Sequence, residues 1–305
     1  MKKNRLGNSE LYVSELGLGC MSLGTDQHTA SEIIDQALDA GINYLDTADL
    51  YDHGINEEII GQALKGNRNQ IILATKVGNH LKEDGTWFWD PSKHYIKNQV
   101  KNSLRRLQTD YIDLYQLHGG ATEDPIDETI EAFEELVAEG VIRYYGISSI
   151  RPNVIREYVR KSNIVSVMTQ YSLLDRRPEE ETLDLLEKNN ISVVARGPLA
   201  KGMLSDQSEK AVKEKGINGY LDYSYQELLS IQQKLAASTP NEVSMTAQSL
   251  NYVLNRKVVA SAIFGASSVE QLTNNLNYLQ AEPIQQEQVE LLQQITKANK
   301  YEQHR

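Results

Sequence analysis

Short apolar runs alternate with longer amphipathic segments along almost the whole chain. Residues 16–20 (LGLGC) read as a short buried strand. In residues 30–41 (ASEIIDQALDAG), Ile33, Ile34, Ala37 and Leu38 recur at helical spacing, and a glycine closes the segment. INYLD predicts a second strand, NEEIIGQAL a helix and residues 71–76 (IILATK) a third strand. YIKNQVKNSLRRL predicts a helix with Ile96, Val100, Leu104 and Leu107 on one face, and residues 111–118 (YIDLYQLH) a fourth strand. The rhythm continues through a helix at 127–140, the strand YYGISS, the helix NVIREYVRKS, a sixth strand at 165–170, the helix EEETLDLLEKNN and a seventh strand, SVVARG. An eighth strand at 261–265 (SAIFG) precedes the helical VEQLTNNLNYL.

Eight strand–helix units predict an α/β chain closed into a (β/α)8 TIM barrel, with a doubly wound open sheet as the alternative. No linker rich in Pro, Gly or Ser divides the chain, so residues 1–305 are expected to form one barrel domain. The longest departure, about 197–259, holds the loop KGINGYLDYS and two helical stretches, YQELLSIQQKLAAS and SMTAQSLNYVLNR. It is expected as a rim insertion, the kind of segment that shapes a ligand site. EQVELLQQITKAN predicts a C-terminal amphipathic helix.

The 305 residues are 40% apolar, enough for a sizeable core, and carry a formal net charge of −11. That charge argues against a nucleic-acid binder, which needs a basic stripe. One cysteine, Cys20, excludes an intramolecular disulfide framework and points to a reduced, cytoplasmic setting. The opening MKKNRLGNSELYVSELG lacks the apolar core of a secretory signal, and no run approaches 18 apolar residues, so no membrane partner is expected. His53, His80 and His94 show no metal-ligand spacing, and no catalytic metal is expected. Nothing in the pattern specifies an oligomeric state.

Four polar residues stand at or just beyond the ends of predicted strands: Asp46 and Tyr51 in INYLDTADLYDHG, Lys76 in IILATKVG and His118 in YIDLYQLHGG. Parallel barrels place their chemistry on that rim. A phenol is a poor acid near neutral pH, with an ordinary pKa of about 10, and a neighbouring ammonium stabilises its phenolate. Lys76, held by Asp46, supplies such an ammonium; Tyr51 then donates a proton to a carbonyl oxygen, and His118 a hydrogen bond to the same oxygen. Singly, each residue has a plainer reading: an ion pair at the rim, a packed tyrosine, a loop histidine.

The segments LDTADLY, ATKVG, YIDLYQLH, EELVAEGVIRYYGISS, VMTQYSLLDR and RGPLAKGML resemble the aldo-keto reductase superfamily. The resemblance runs from RLGNSELYVSELGLGCMSLG to IFGASSVEQLTNNL and is nearest to bacterial members similar to general stress reductases and potassium-channel β-subunits. It implies a barrel that binds an extended nicotinamide dinucleotide without a Rossmann domain, and hydride transfer from NADPH to an aldehyde or ketone. Tyr51 matches the family's proton donor, Lys76 and Asp46 its tuning partners and His118 its orienting residue. The channel-subunit relatives imply a second reading: a nucleotide-binding sensor or regulatory subunit with slow turnover.

The resemblance also implies cofactor contacts. GLGCMSLG (17–24) is not a G-x-G-x-x-G fingerprint; in the family reading it ends the first strand, with Gly19, Cys20 and Met21 beside the nicotinamide ribose, while tight strand packing is the other explanation of its glycines. Ser148, Ser149 and Gln170, with Asp46, would surround the nicotinamide, although relatives usually carry Asn at position 149. Arg196 stands where many relatives place a stacked aromatic residue; a guanidinium can stack or pair with the pyrophosphate. Gly197, Pro198, Leu199, Lys201 and Gly202 (in GPLAKGML) resemble a pyrophosphate-gripping loop. On the adenosine side Gly265 opens the turn, Ser267 and Ser268 would bond phosphate at a helix N-terminus, Gln271 and Asn275 match the adenine-side positions, and Asn274 stands where relatives commonly carry a glutamate. Relatives often carry Lys or Arg near 267, 268 and 271 to pair with a 2′-phosphate; this chain has none, which weakens the preference for the phosphorylated cofactor, so the resemblance still implies NADP(H) but with NAD(H) possible. On the substrate side, Met21, Tyr51, Trp87, Phe88 and His118 are the candidate pocket for a small-molecule carbonyl compound; Trp87, Phe88 and Trp89 equally suit the anchoring of a long loop.

Overall fold

In the computed structural model, which describes residues 1–240 and 243–305, eight parallel strands close into a barrel: Leu16–Gly19, Tyr44–Asp46, Ile72–Val77, Ile112–Leu117, Ile142–Ser148, Ser166–Gln170, Ser192–Arg196 and Val259–Gly265. They neighbour one another in chain order, and the last pairs with the first through Ala262 opposite Leu16 and Gly265 opposite Gly19. The closed sheet is the expected (β/α)8 TIM barrel and not the open sheet.

Side chains alternate between two cores because a strand has a period of two. Leu18, Leu45, Leu73, Tyr115, Ile147 and Val193 face the surrounding helices, whose apolar stripes they cover. Tyr44, Ile72, Ala74, Leu114, Met168, Val194 and Ile263 form the separate core inside the barrel. Gly17 is required there: a Cβ on it would stand 2.3 Å from Ile263 Cδ1 and 3.1 Å from Tyr44 Cδ1.

Three departures from the sequence pattern matter. The opening polar stretch forms an antiparallel hairpin, Lys3–Arg5 with Tyr12–Ser14, whose Leu6, Leu11 and Val13 seal the N-terminal end of the barrel. A second hairpin, Asn79–Leu81 with Trp87–Trp89, rises from the rim after the third strand. Between the seventh and eighth strands lie three helices, Ser208–Lys215, Tyr225–Ser238 and Met245–Leu254, where the pattern shows two; residues 241 and 242 of that stretch lie outside the described residues. Ser224 and Glu227 form a capping box at the start of the middle helix. Among the described residues, no helix is long and apolar enough to cross a membrane.

Candidate active site

With the hairpin sealing one end, the barrel opens at the C-terminal rim. Asp46, Lys76, Gln116, Gln170 and Arg196 each lie two residues beyond an inward-facing apolar position (44, 74, 114, 168 and 194). The strand period therefore places all five on the inner face, one layer nearer the mouth. His118 continues the parity of Gln116 just past the fourth strand, its N–H held 2.7 Å from Val77 O.

Lys76 is the hub. Its Nζ donates to Asp46 Oδ2 at 2.6 Å, to Thr47 O at 2.7 Å and to the Tyr51 hydroxyl at 3.4 Å. Gln116 Nε2 donates to the other Asp46 oxygen at 3.1 Å. The rings of Tyr51 and His118 meet edge to face with centroids 5.9 Å apart. The four candidate catalytic residues thus share one corner of the mouth, with Lys76 and Asp46 buried and Tyr51 and His118 half-buried.

The turn carrying Tyr51 hangs from the third strand by backbone bonds from Thr47 N to Ala74 O (2.9 Å) and from Asp49 N to Lys76 O (3.2 Å). Thr47 Oγ1 donates to Asn56 Oδ1, and Asn56 Nδ2 to Cys20 O. Asp52 and His53 follow Tyr51 in left-handed conformation, φ 47° and 56°, a strained pair of the kind that accumulates at functional turns. Gly54 ends the turn at φ 90°, a conformation strained for any residue with a Cβ, which would also stand 3.0 Å from the Arg106 side chain.

Burial alone pulls the Lys76 ammonium down, but Asp46 and Tyr51 outweigh it and hold the ammonium above its usual range. Burial pushes the Asp46 carboxyl up against the pull of Lys76 and Gln116. Asp46 accepts on both oxygens, from Lys76 and from Gln116, so the pair is ammonium and carboxylate. His118 is pushed down to about 3 by burial and by the nearby Lys76 and Arg196 charges, so at neutral pH its imidazole is neutral. Its Nδ1 and Gln116 Oε1 are buried without a hydrogen-bond partner.

The candidate cofactor residues follow the rim. Gly19 closes the first strand; the Cys20 thiol is buried, 3.6 Å from Leu18 O, and Met21 is 63% exposed. Ser148 ends the fifth strand half-buried, and Ser149 Oγ accepts from Arg151 N. Gln170 is engaged at both ends: Oε1 accepts from Arg196 Nη1 and Nε2 donates to Tyr220 Oη, both at 3.0 Å. Gly197, Pro198, Leu199 and Gly202 form a tight loop in which Ala200 and Lys201 are left-handed, φ 44° and 59°. The exposed Lys201 ammonium lies 6.0 Å over the Tyr220 ring. Beyond the eighth strand, Gly265 is exposed, Ser268 caps the helix Val269–Leu276 through Gln271 N, and Ser267 N and Oγ both donate to Gln271 Oε1. Asn275 Nδ2 reaches Gly265 O at 3.4 Å, and Asn274 O accepts the cap N–H of the same helix. Unpartnered buried atoms beside the mouth, a guanidinium and a lysine on its wall, and a helix N-terminus at its edge suit a long, diphosphate-bearing dinucleotide.

On the hairpin, Trp87 and Phe88 are 54% and 41% exposed, and Phe88 stacks on His80, which stacks on Tyr95. Trp89 is the tryptophan against the site: its ring covers Gly78 and Gly119, next to Val77 and His118. Two further residues join the site unannounced by the motifs. Gln116 is legible in retrospect, two places before His118 on an alternating strand. Tyr220 carries no local signal, lying 50 residues from Gln170.

A closed parallel barrel with an ammonium held between a carboxylate and a phenol at its open end, beside a neutral imidazole, defines a barrel oxidoreductase. A sequence profile of the Aldo/keto reductase family matches residues 15–297, and the chain belongs to that family. It is 58% identical over 311 residues to the uncharacterized oxidoreductase YqkF of Bacillus subtilis, covering 100% of both chains. It is 30% identical over 302 residues to the NADH-specific methylglyoxal reductase of Escherichia coli, covering 90% of this chain and 93% of that one. The solved holo form of aldo-keto reductase AKR11C1 from Bacillus halodurans superposes with a TM-score of 0.92 at 57% identity, covering 100% of this chain and 99% of that chain. The chain is a nicotinamide-dependent oxidoreductase acting on small-molecule carbonyl compounds.

Proposed function

We propose that this enzyme reduces aldehydes or ketones to alcohols with NADPH as reductant and Tyr51 as proton donor. The observation that carries the reading is the Lys76 ammonium, fixed by Asp46 and the Thr47 carbonyl with the Tyr51 hydroxyl as its third neighbour. When bound, the nicotinamide supplies a hydride to the carbonyl carbon. Tyr51 gives its hydroxyl proton to the carbonyl oxygen, and the charge left on the phenolate forms 3.4 Å from a cation already in place, so little reorganisation is needed. The neutral His118 donates one hydrogen bond and orients the same oxygen; with its imidazolium form held down to about 3, it is no proton source at neutral pH. Asp46 keeps the ammonium charged. Ser148, Gln170 and Arg196 line the nicotinamide side, Lys201 the diphosphate and Ser267 to Asn275 the adenosine.

NADPH is the family's expected donor. NADH is the competitor, because Ser267, Ser268, Gln271 and Asn274 offer a 2′-phosphate no cation and the E. coli relative is named as NADH-specific. The test is purified protein with 4-nitrobenzaldehyde and either cofactor, followed by loss of reduced-nicotinamide absorbance. Turnover is expected, with kcat/KM higher for NADPH. Tyr51→Phe is expected to lose about 10²–10⁴-fold in kcat. A Tyr51→Phe variant within a few-fold of wild type overturns the proton-donor role.

A further inference from the structure

Directly behind the Tyr51 turn lies a buried charge imbalance. Asp49, 3% exposed, points away from the barrel mouth into the seam between the helices Ile55–Ala63 and Lys93–Leu107. The groups facing it are Glu57 from the first helix, Tyr95, Gln99 and Arg106 from the second, and Tyr115 from the fourth strand. Arg106 is committed to Glu57: its Nε and Nη2 reach Glu57 Oε2 at 2.7 and 2.6 Å. Glu57 also takes the Thr75 hydroxyl at 2.6 Å. Two carboxyl groups therefore share one cation, and Glu57 holds it. Asp49 is left with neutral groups: Gln99 Nε2 donates to Oδ2 at 3.0 Å, and the Leu50 backbone N–H and the Tyr95 hydroxyl also face the carboxyl, yet Oδ1 is buried with no partner at hydrogen-bond geometry, as is the Tyr115 hydroxyl.

A buried carboxylate with no cation and a vacant oxygen is unfavourable, and a proton on that oxygen removes both defects. We propose that Asp49 is a positioning residue for Tyr51, seating the turn 47–51 between the two helices as the neutral acid. Its backbone N–H is bonded to the carbonyl of Lys76, so movement at Asp49 is transmitted to both ends of the Lys76–Tyr51 contact. Burial and the neighbouring Glu57 charge push its carboxyl up to about 7. The turn is thus expected to loosen as the proton leaves above neutral pH, when two anions face each other across the seam. The inference rests on the reading of Tyr51 as proton donor.

The test combines two readouts on wild type, Asp49→Asn, His80→Gln and Tyr51→Phe. Infrared difference spectra across the neutral range should show a protonated-carboxyl C=O band that titrates near pH 7 in wild type and is missing in Asp49→Asn. The pH profile of kcat should fall above the same pH by up to about tenfold per unit in wild type and lose that inflection in Asp49→Asn, with KM for NADPH unchanged. His80 is an imidazole stacked on Tyr95, which faces Asp49, and as the control His80→Gln should keep the inflection. No titrating band, or a band whose loss leaves the kcat profile as in wild type, overturns the proposal. Full activity in Tyr51→Phe instead overturns the proton-donor reading, while the band still reports on Asp49.

Discussion

Lys76 shows how one side chain serves stability and chemistry together. It is 1% exposed and has no route to water for its charge, so its three hydrogen bonds replace hydration. Replacing it with methionine keeps the volume but strands the Asp46 carboxylate in the barrel. Breaking a buried pair from one side costs about 3–5 kcal/mol, whereas removing both charges is often near neutral. Lys76→Met is therefore expected to lower both kcat and the urea midpoint. Adding Asp46→Asn should restore most of the midpoint and none of the kcat. A double variant that regains activity would show that the ammonium is dispensable. The residue scale is also where the sequence is most legible: Asp46, Lys76 and His118 each follow an apolar strand, so strand polarity alone sends them to one rim. Asp49 and Tyr220 are opaque by the same logic. Their partners, Glu57 with Arg106 and Gln170 with Arg196, are set by helix packing and loop return, which no local pattern encodes.

Among elements, the hairpin after the third strand matters most to the site. Its Trp89 Nε1 donates to Asp124 Oδ1 at 2.9 Å, and the ring stands where a Cβ on Gly78 would be 2.6 Å from it. It therefore clamps the backbone that leaves Val77 and the backbone that leaves His118. Trp89→Ala is expected to free both loops. KM for the carbonyl substrate should rise more than kcat falls, with a stability loss of about 1–3 kcal/mol for a half-buried aromatic; unchanged KM and melting would remove the clamp from the account. This element is illegible in the sequence because its second strand, WFW, is uniformly aromatic and shows no two-residue alternation. The N-terminal hairpin escapes because its buried residues, Leu6, Leu11 and Val13, are spread through polar text. The helix Ser208–Lys215 escapes because SEKAVKEK buries little beyond Ala211 and Val212. Most barrel strands are legible since both their faces are largely buried, which makes them short, mainly apolar runs.

For the whole molecule, half-buried His118 in the site and buried Asp49 behind it pull stability in opposite directions over one pH range. Asp49 carries a raised value in the fold, about 7, so the folded chain keeps a proton that the unfolded chain gives up near 4. Its contribution is full at low pH and is lost as pH rises from about 4 to 7. His118 carries a lowered value, about 3, so the unfolded chain takes a proton below about 6.5 that the fold refuses. Its contribution is full above that pH and is lost as pH falls. Each slope approaches about 1.4 kcal/mol per pH unit, and between about pH 4 and 6.5 they cancel. Urea unfolding at about pH 4.5, 5.5 and 6.5 separates them. Relative to wild type, Asp49→Asn should gain stability steadily as pH rises, and His118→Gln should gain it as pH falls. The double variant should return to the wild-type slope, since each substitution deletes one of two opposed proton couplings. Parallel curves for all four proteins would mean that folding shifts the proton affinity of neither group, and would overturn the opposed couplings described for them.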